Sequence, residues 1–324
     1  MKRRVALRTI TCALAVWPRV AATQSARLPR VVMFLNADER QGSLFSESFR
    51  KGLQEVGQVE GRTLTLDSRY GRLDPARIDA LYQEAVAERP DVLVIAGLSA
   101  ARRVRDLTST IPVVVATASD LVDAGVVESF ARPGGNITGI SDLVDEAAVK
   151  RLELVRAALP NAKRIALLTN PNFPATPKIE TRVREAAPRL GFTIDRLHAV
   201  DRASIVAAID TMAQSRPDAL LVGGDPLFNS DEFMERTTAT QIPVIHYWQG
   251  TAEKGALVSY EADVHDNFRR AAGYVDKILK GAKPGDLPIN QPTRYKLVVN
   301  AKIAKSLGLT IPQSLRLRAD EVIQ

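Results

Sequence analysis

The chain has 324 residues, 45% hydrophobic and 25% charged, with a formal net charge of +7 and one cysteine. That length predicts two domains, and the composition excludes a disordered or fibrous chain. A lone cysteine excludes an intrachain disulfide and a Cys-based metal cluster.

Met1-Lys2-Arg3-Arg4 is a basic start, Thr9 to Trp17 a short apolar stretch, and Val20-Ala21-Ala22 a small-residue cleavage signal. Together they predict an export signal over residues 1–24, cut near Ala22, and hence a periplasmic location. The apolar run is too short to cross a bilayer. Lys2, Arg3, Arg4, Arg8 and Arg19 face no acid within residues 1–22, so removing the signal lowers the charge from +7 to +2. The high net charge is then a targeting feature, and the case for nucleic-acid binding falls away. Cys12 lies in the same segment, where Thr9-Ile10-Thr11 makes a poor lipidation lead.

Beyond the signal, short β-branched runs alternate with helical patterns. Strands are predicted at Val31 to Leu35, Leu64 to Ser68, Val92 to Ala96 and Val113 to Ala116, with helices at Ser46 to Val56, Pro75 to Glu88 and Ala100 to Thr108. Asn136 to Ile140 reads as a strand leaving this unit, and Ala147 to Ala158 as a helix leading into the next. The second unit repeats the order. Its strands are Ile165 to Leu168, Thr193 to Leu197, Leu220 to Val222 and Val244 to His246, and its helices Lys178 to Leu190, Ser204 to Ser215 and Asp231 to Thr240. Continuous apolar strands in a β-α-β-α order predict parallel sheets covered on both faces, an α/β fold of two Rossmann-like lobes.

The two halves also share phrases. Arg89-Pro90-Asp91-Val92-Leu93-Val94-Ile95-Ala96-Gly97 is echoed by Arg216-Pro217-Asp218-Ala219-Leu220-Leu221-Val222-Gly223-Gly224, and each is followed by an Ile-Pro-Val strand start, at Ile111 and Ile242. Such a duplication sets the strand ends of one lobe against those of its twin, with a ligand cleft between them. An amphipathic helix over Val264 to Lys280 is expected to return to the first lobe, and a strand over Tyr295 to Asn300 to join the second. The lobes are then residues 28–140 with 262–292, and 141–261 with 293–324. Several crossings restrict motion to hinge bending.

In open parallel sheets ligands bind beyond the carboxyl ends of the strands, where helix N-termini present free N–H groups. Those ends name the candidate ligand residues: Asn36, Ser99, Ala100, Thr117, Ala118 and Ser119 in the first half, and Asn170, Asp225, Tyr247 and Tyr260 in the second. Ser99, placed just before a helix starting near Ala100, is either a plain N-cap or part of a carboxylate cradle. Asp225 is either a turn residue before Pro226 or the counter-charge for an ammonium group. Of Tyr247 and Trp248, one must point away from the cleft. Tyr260 is expected to end a strand over Ala256 to Ser259.

Catalytic constellations are poor. His198, His246 and His265 have no metal-ligand spacing, and His246 reads as a satisfied core histidine. No phosphate loop occurs, Pro133-Gly134-Gly135-Asn136 reads as a turn, and Asp38 with Glu39 reads as a solvated loop. No cofactor, metal or enzymatic activity is expected.

Several segments then carry a family pattern. They include Gly52-Leu53 with Gly57-Gln58-Val59-Glu60-Gly61-Arg62, Ala131-Arg132-Pro133-Gly134-Gly135-Asn136-Ile137-Thr138-Gly139, and Lys150-Arg151-Leu152-Glu153-Leu154. The strongest run is Tyr274-Val275-Asp276-Lys277-Ile278-Leu279-Lys280-Gly281-Ala282-Lys283-Pro284, continued by Leu307-Gly308-Leu309-Thr310-Ile311-Pro312 and Ala319-Asp320-Glu321-Val322-Ile323. Over residues 30–323 the chain resembles the solute-binding proteins of bacterial ABC importers, in the group that includes tryptophan- and tyrosine-binding components. The resemblance implies a type I periplasmic-binding architecture, a monomer that closes on a small molecule, and delivery to the transmembrane subunits of an ABC permease. Asp120-Leu121-Val122 and Gly57-Gln58 depart from the usual Asp-Pro-Val and Gly-Tyr, which touches the ligand and not the fold. A ligand sensor of the same fold partnering a membrane receptor kinase remains open. A repressor does not, because Met1 to Arg30 is too short and too apolar for a helix-turn-helix.

Overall fold

A computed structural model describes residues 27–324, apart from 37, 38, 73 and 120 and the side chains of 40, 41, 75, 76 and 249. The expected export segment, Cys12, Asp38 and Asp120 therefore lie outside the described residues.

The first lobe runs β1 (Arg30–Leu35), α1 (Glu39–Glu55), β2 (Thr65–Tyr70), α2 (Pro75–Glu88), β3 (Val92–Ala96), α3 (Leu98–Leu107), β4 (Val113–Ser119) and β5 (Ile137–Asp142). Its sheet has the order β2-β1-β3-β4-β5, parallel throughout. Successive residues of β1 point to opposite faces, and both faces are buried. Val31, Met33 and Leu35 enter one core, Val32 and Phe34 the other. A sheet covered on both sides needs runs such as Val92 to Ile95, since each buried Val, Leu or Ile contributes about 1.5–3 kcal/mol over leaving it in water.

The second lobe continues with α4 (Val144–Ala158), β6 (Arg164–Thr169), α5 (Thr176–Ala186), β7 (Thr193–His198), α6 (Arg202–Ser215), β8 (Ala219–Val222), α7 (Asp231–Ala239), β9 (Val244–His246) and β10 (Val258–Ala262). Then come α8 (Val264–Leu279), β11 (Tyr295–Asn300), α9 (Ala301–Ser306), α10 (Gln313–Arg316) and β12 (Glu321–Ile323). The second sheet has the order β12-β11-β10-β9-β8-β6-β7, in which β10 and β11 are antiparallel and the other pairs parallel. Helices α4 and α5 cover one face, α6 and α7 the other.

The chain passes between lobes after β5, after β10 and again before β11. Helix α8 packs on the first lobe, where Phe268, Ala271, Ala272 and Val275 join Met33, Val94 and Val114 in one core. Gly52 on α1 allows this approach, because a Cβ there would sit 1.9 Å from the Arg269 carbonyl oxygen of α8.

The repeated phrases fold into matching geometry. Arg89 and Arg216 both adopt the left-handed conformation, with φ of 50° and 46°, ending a helix just before a proline. The Asp91 carboxylate accepts the Arg30 N–H at 2.6 Å, and that of Asp218 accepts the Lys163 and Arg164 N–H groups at 2.7 and 2.8 Å. Arg30 pairs with Asp67 at 3.0 Å, and Arg164 with Asp195 at 2.8 Å.

Four elements depart from the sequence reading. Helix α1 begins at Glu39, so that residue opens a helix instead of lying in a loop. Strand β4 extends to Ser119, paired with Asp142 beyond a bulge. The helix predicted through Leu190 ends at Ala186, where Pro188, lacking an N–H, starts a separate 3-10 turn over Pro188–Leu190. Tyr260 lies in the middle of β10, held there by pairing with Leu297 of β11.

Candidate functional site

In both lobes the strands end on the side where the chain crosses over. Asn36 is exposed at the end of β1. After β3, Gly97 adopts a φ of 95° open to glycine, and α3 starts at once at Leu98 with no side chain capping it. Ser99 is thus not the N-cap expected from the sequence; it lies exposed in the first turn, and the cap is Gly97. The N–H groups of Leu98, Ser99 and Ala100 have no acceptor within the helix, a ready site for an anion. The Ala100 side chain is buried, so only its backbone can serve.

Thr117, Ala118 and Ser119 belong to β4 itself. Thr117 donates its hydroxyl to Asp142 Oδ2 and accepts from Asn267 Nδ2, both at 3.4 Å, which ties the first lobe to the crossover after β5. Ala118 is packed in the core under α3, and Ser119 is half-buried.

In the second lobe, Asn170 and Asp225 come together. Asn170 donates Nδ2 to Asp225 Oδ2 at 3.1 Å while its own Oδ1 accepts from Asn172 N–H, and Asp225 Oδ1 caps the 3-10 turn Pro226–Phe228 through Leu227 N–H. Asp225 is 8% exposed and forms no ion pair among the described residues. Burial pushes its carboxyl up, opposed by the Leu227 and Asn170 donors. Gly224 brings this turn against Val144 at the start of α4, 3.9 Å from where a Cβ would be.

Tyr247 stacks on His246 with ring centroids 4.9 Å apart and turns toward the core under α6 and α7. Burial raises its hydroxyl well above the usual phenol range, with Glu261 and Asp225 nearby adding to the rise and Asn229 and Arg151 opposing it. His246 bears out the core reading: it is fully buried, with Nε2 facing Phe228 O at 3.1 Å and Nδ1 taking Trp248 N–H at 3.0 Å. Tyr260 instead packs with the core under α4 and α5, stacked on Tyr295 at 5.3 Å and 14°. The two tyrosines therefore serve different cores.

Arg151 escaped the site reading. It is 2% exposed, donating from Nη1 to the Tyr260 carbonyl at 3.4 Å, while Nε and Nη2 make no hydrogen bond. Burial lowers its pKa to about 10 against the pull of Glu261 and of Tyr247, Tyr260 and Tyr295. A signal existed: Arg151 sits on the apolar stripe of α4 defined by Ala148, Leu152 and Val155, where a charge is out of place.

Of the ion pairs among the described residues, one joins the lobes. Lys178 on α5 meets Asp123, in the loop after β4, at 2.6 Å. Among the described residues there is no cluster of His, Cys, Asp and Glu fit to hold a metal, and no helix long and apolar enough to cross a membrane.

Two facing sets of strand ends, joined by three crossings, are the layout of a two-lobed binding protein, and residues 31–323 match the family model described as ABC transporter substrate binding protein. The chain belongs to that family. A tyrosine-binding protein of Clostridioides difficile is 24% identical over 270 residues, covering 81% of this chain and 76% of that relative. The structure of an ABC domain from Streptococcus pneumoniae in complex with L-Trp is 27% identical, with a TM-score of 0.82 over 91% of this chain and all of that one. A conserved domain protein from Vibrio cholerae is 26% identical, with a TM-score of 0.80 over 91% of this chain and 100% of its own. Members of this family bind substrates and are not enzymes.

Proposed function

We propose that the protein is the extracytoplasmic solute-binding component of an ABC importer. It works as a monomer in the periplasm, captures an amino-acid-like or aromatic solute by hinge closure, and presents it to the transmembrane permease subunits. The moving bodies are residues 28–140 with 262–292, and 141–261 with 293–324.

Asp225 carries this reading. A carboxylate 8% exposed, without a cation and pushed up by burial, sits at a strand end of one lobe. The corresponding strand end of the other lobe offers the uncapped N–H groups of α3. Anion donor on one side and anion on the other is the complement of a zwitterion. The solute carboxylate is assigned to the N–H groups of Ser99 and Ala100 with Ser119 and Asn36 nearby, and the ammonium to Asp225 with Asn170. Thr117, its hydroxyl engaged with Asp142, has a hinge role in addition to lining the site. A solute that touches both lobes favours the closed state, which is what couples capture to closure. The L-Trp complex and the tyrosine-binding relative support an aromatic amino acid.

Calorimetric titration of the purified protein with L-tryptophan, L-tyrosine and aliphatic amino acids tests the reading. Saturable binding of an aromatic amino acid, with a raised thermal midpoint, is expected. No binding of any amino acid or aromatic acid would sink it.

A further inference from the structure

Charge is unevenly spread along the chain. Between Arg294 and Glu321 lie six basic residues and two acidic ones, an excess of four, against +2 for everything after the export segment. The remainder is therefore net acidic, and the positive charge is gathered at the C-terminal end of the second lobe. Such an asymmetry points to an acidic partner.

The fold turns that charge outward. Helices α9 and α10 are fastened to the core under α4 and α5 by Ala304, Ile311 and Leu315. Lys302 and Lys305 lie three residues apart on the outer face of α9, and Arg316 and Arg318 flank the end of α10, all four exposed. None of the four forms an ion pair or a side-chain hydrogen bond among the described residues. The two acids are engaged elsewhere: Glu321 pairs with Lys296 at 2.8 Å, and Asp320 Oδ2 accepts the Leu297 N–H at 2.8 Å. Between the arginines, Leu317 is 78% exposed, the most of three large exposed hydrophobic residues among those described. Leu315 is fully buried, and two steps along a helix of about 3.6 residues per turn carry Leu317 to the opposite side. Its backbone is held there, the N–H donating to the Gln313 carbonyl at 2.9 Å. A lone exposed leucine is ordinary. One set between two unpaired arginines, in a layer that also carries two unpaired lysines, is not.

We propose that this layer is a docking surface for an anionic lipid bilayer, with Lys302, Lys305, Arg316 and Arg318 taking lipid phosphates and Leu317 entering the boundary between headgroups and acyl chains. Each basic residue near such a surface strengthens partitioning by about fivefold, and less at high salt. Cations that nothing holds in place, around one projecting apolar side chain, suit a fluid layer of phosphates. A shaped protein socket is better served by side chains fixed beforehand. The contact is reversible, since one leucine adds little apolar area. It is independent of the solute, and it keeps an exported receptor at the membrane in which its permease sits.

Sedimentation of the exported form with vesicles tests the docking surface, using phosphatidylcholine alone and phosphatidylcholine mixed in equal parts with phosphatidylglycerol, at low and at physiological salt. Salt-sensitive partitioning onto the phosphatidylglycerol vesicles is expected, with little binding to phosphatidylcholine alone. Arg316→Glu with Arg318→Glu should lower it by at least about tenfold, and Leu317→Ser by about threefold, with thermal midpoints unchanged. Arg184→Glu with Arg189→Glu makes the same change in net charge at exposed residues of the same lobe, outside the patch, and should partition like the parent. No binding, equal binding to both kinds of vesicle, or equal losses in the two double variants overturns the proposal. So does salt-sensitive self-association in place of vesicle binding, abolished by Arg316→Glu with Arg318→Glu, which would give the patch to a second copy of the chain.

Discussion

The two lobes agree where their strands begin and differ where they end. At the beginnings, Arg30 with Asp67 and Asp91 is matched by Arg164 with Asp195 and Asp218, and the left-handed turns at Arg89 and Arg216 coincide. At the ends, Gly97 opens directly into α3 with nothing capping it, whereas Asp225 caps a short 3-10 turn and Asn170 braces it. The matched ends tie each strand start to its neighbours. The unmatched ends carry opposite electrostatic character, which lets two copies of one unit grip the two poles of one molecule.

Substitutions at the unmatched ends should break that asymmetry most. Asp225→Asn should weaken binding of an amine-bearing solute by at least tenfold in calorimetry, about the 1.4 kcal/mol that a factor of ten represents. The same change should leave the unliganded protein as stable or raise its midpoint by about 1–2 °C at pH 7. The native pKa of Asp225 lies above its unfolded value, so the native state holds the proton longer, and stability contributed at low pH is lost as pH rises through that pKa. Affinity should move the other way, falling as acid protonates Asp225. A binding loss accompanied by a lower midpoint would make Asp225 a structural residue only.

On the opposite lobe, Ser99→Pro deletes one N–H in the first turn of α3, where proline is tolerated. We expect about a three- to tenfold loss for the carboxylate form of the solute and little change for its amide, read by the same titration. Equal losses for both forms would show that α3 does not receive the anion.

The ion pair between Lys178 and Asp123 should matter less, since its partners are 44% and 54% exposed and such pairs contribute about 0–1 kcal/mol. Lys178→Glu should weaken binding about two- to fivefold at low salt and less at high salt, and adding Asp123→Lys should restore it. Failure of the double variant to recover would separate the pair from closure.

The last effect, through His246 of β9, concerns stability alone. Burial lowers its pKa to about 3, against about 6.5 when unfolded. The unfolded chain therefore takes up a proton that the native protein refuses, and stability falls as pH drops from 6.5 toward 3. In thermal melts across that window, His246→Gln should show a shallower decline than the parent.

The strands and the two-lobed α/β class were legible because β-branched runs and the repeated Arg-Pro-Asp phrase mark strands buried on both faces, whereas the strand order within each sheet was not. The start of α1 was not, since Glu39-Arg40-Gln41-Gly42 lacks an apolar stripe; Gly42 is needed there because a Cβ would strike the Tyr70 ring at 2.4 Å. Asp225 and Asn170 could be placed at neighbouring strand ends, but not bonded to each other. The status of Ser99 turned on the φ of Gly97, which no residue pattern specifies.

Helix α8 also governs the order in which the molecule can be assembled. The face of the first sheet formed by Met33, Val94 and Val114 is covered by Phe268, Ala271 and Val275. A chain emerging from its N-terminus must therefore lay down the second lobe as far as β10 before the first can close its core. Long-range closure of this kind is slow and leaves apolar surface waiting. The half made first must wait for α8, so its core stays open in the nascent protein until residues 264–279 arrive.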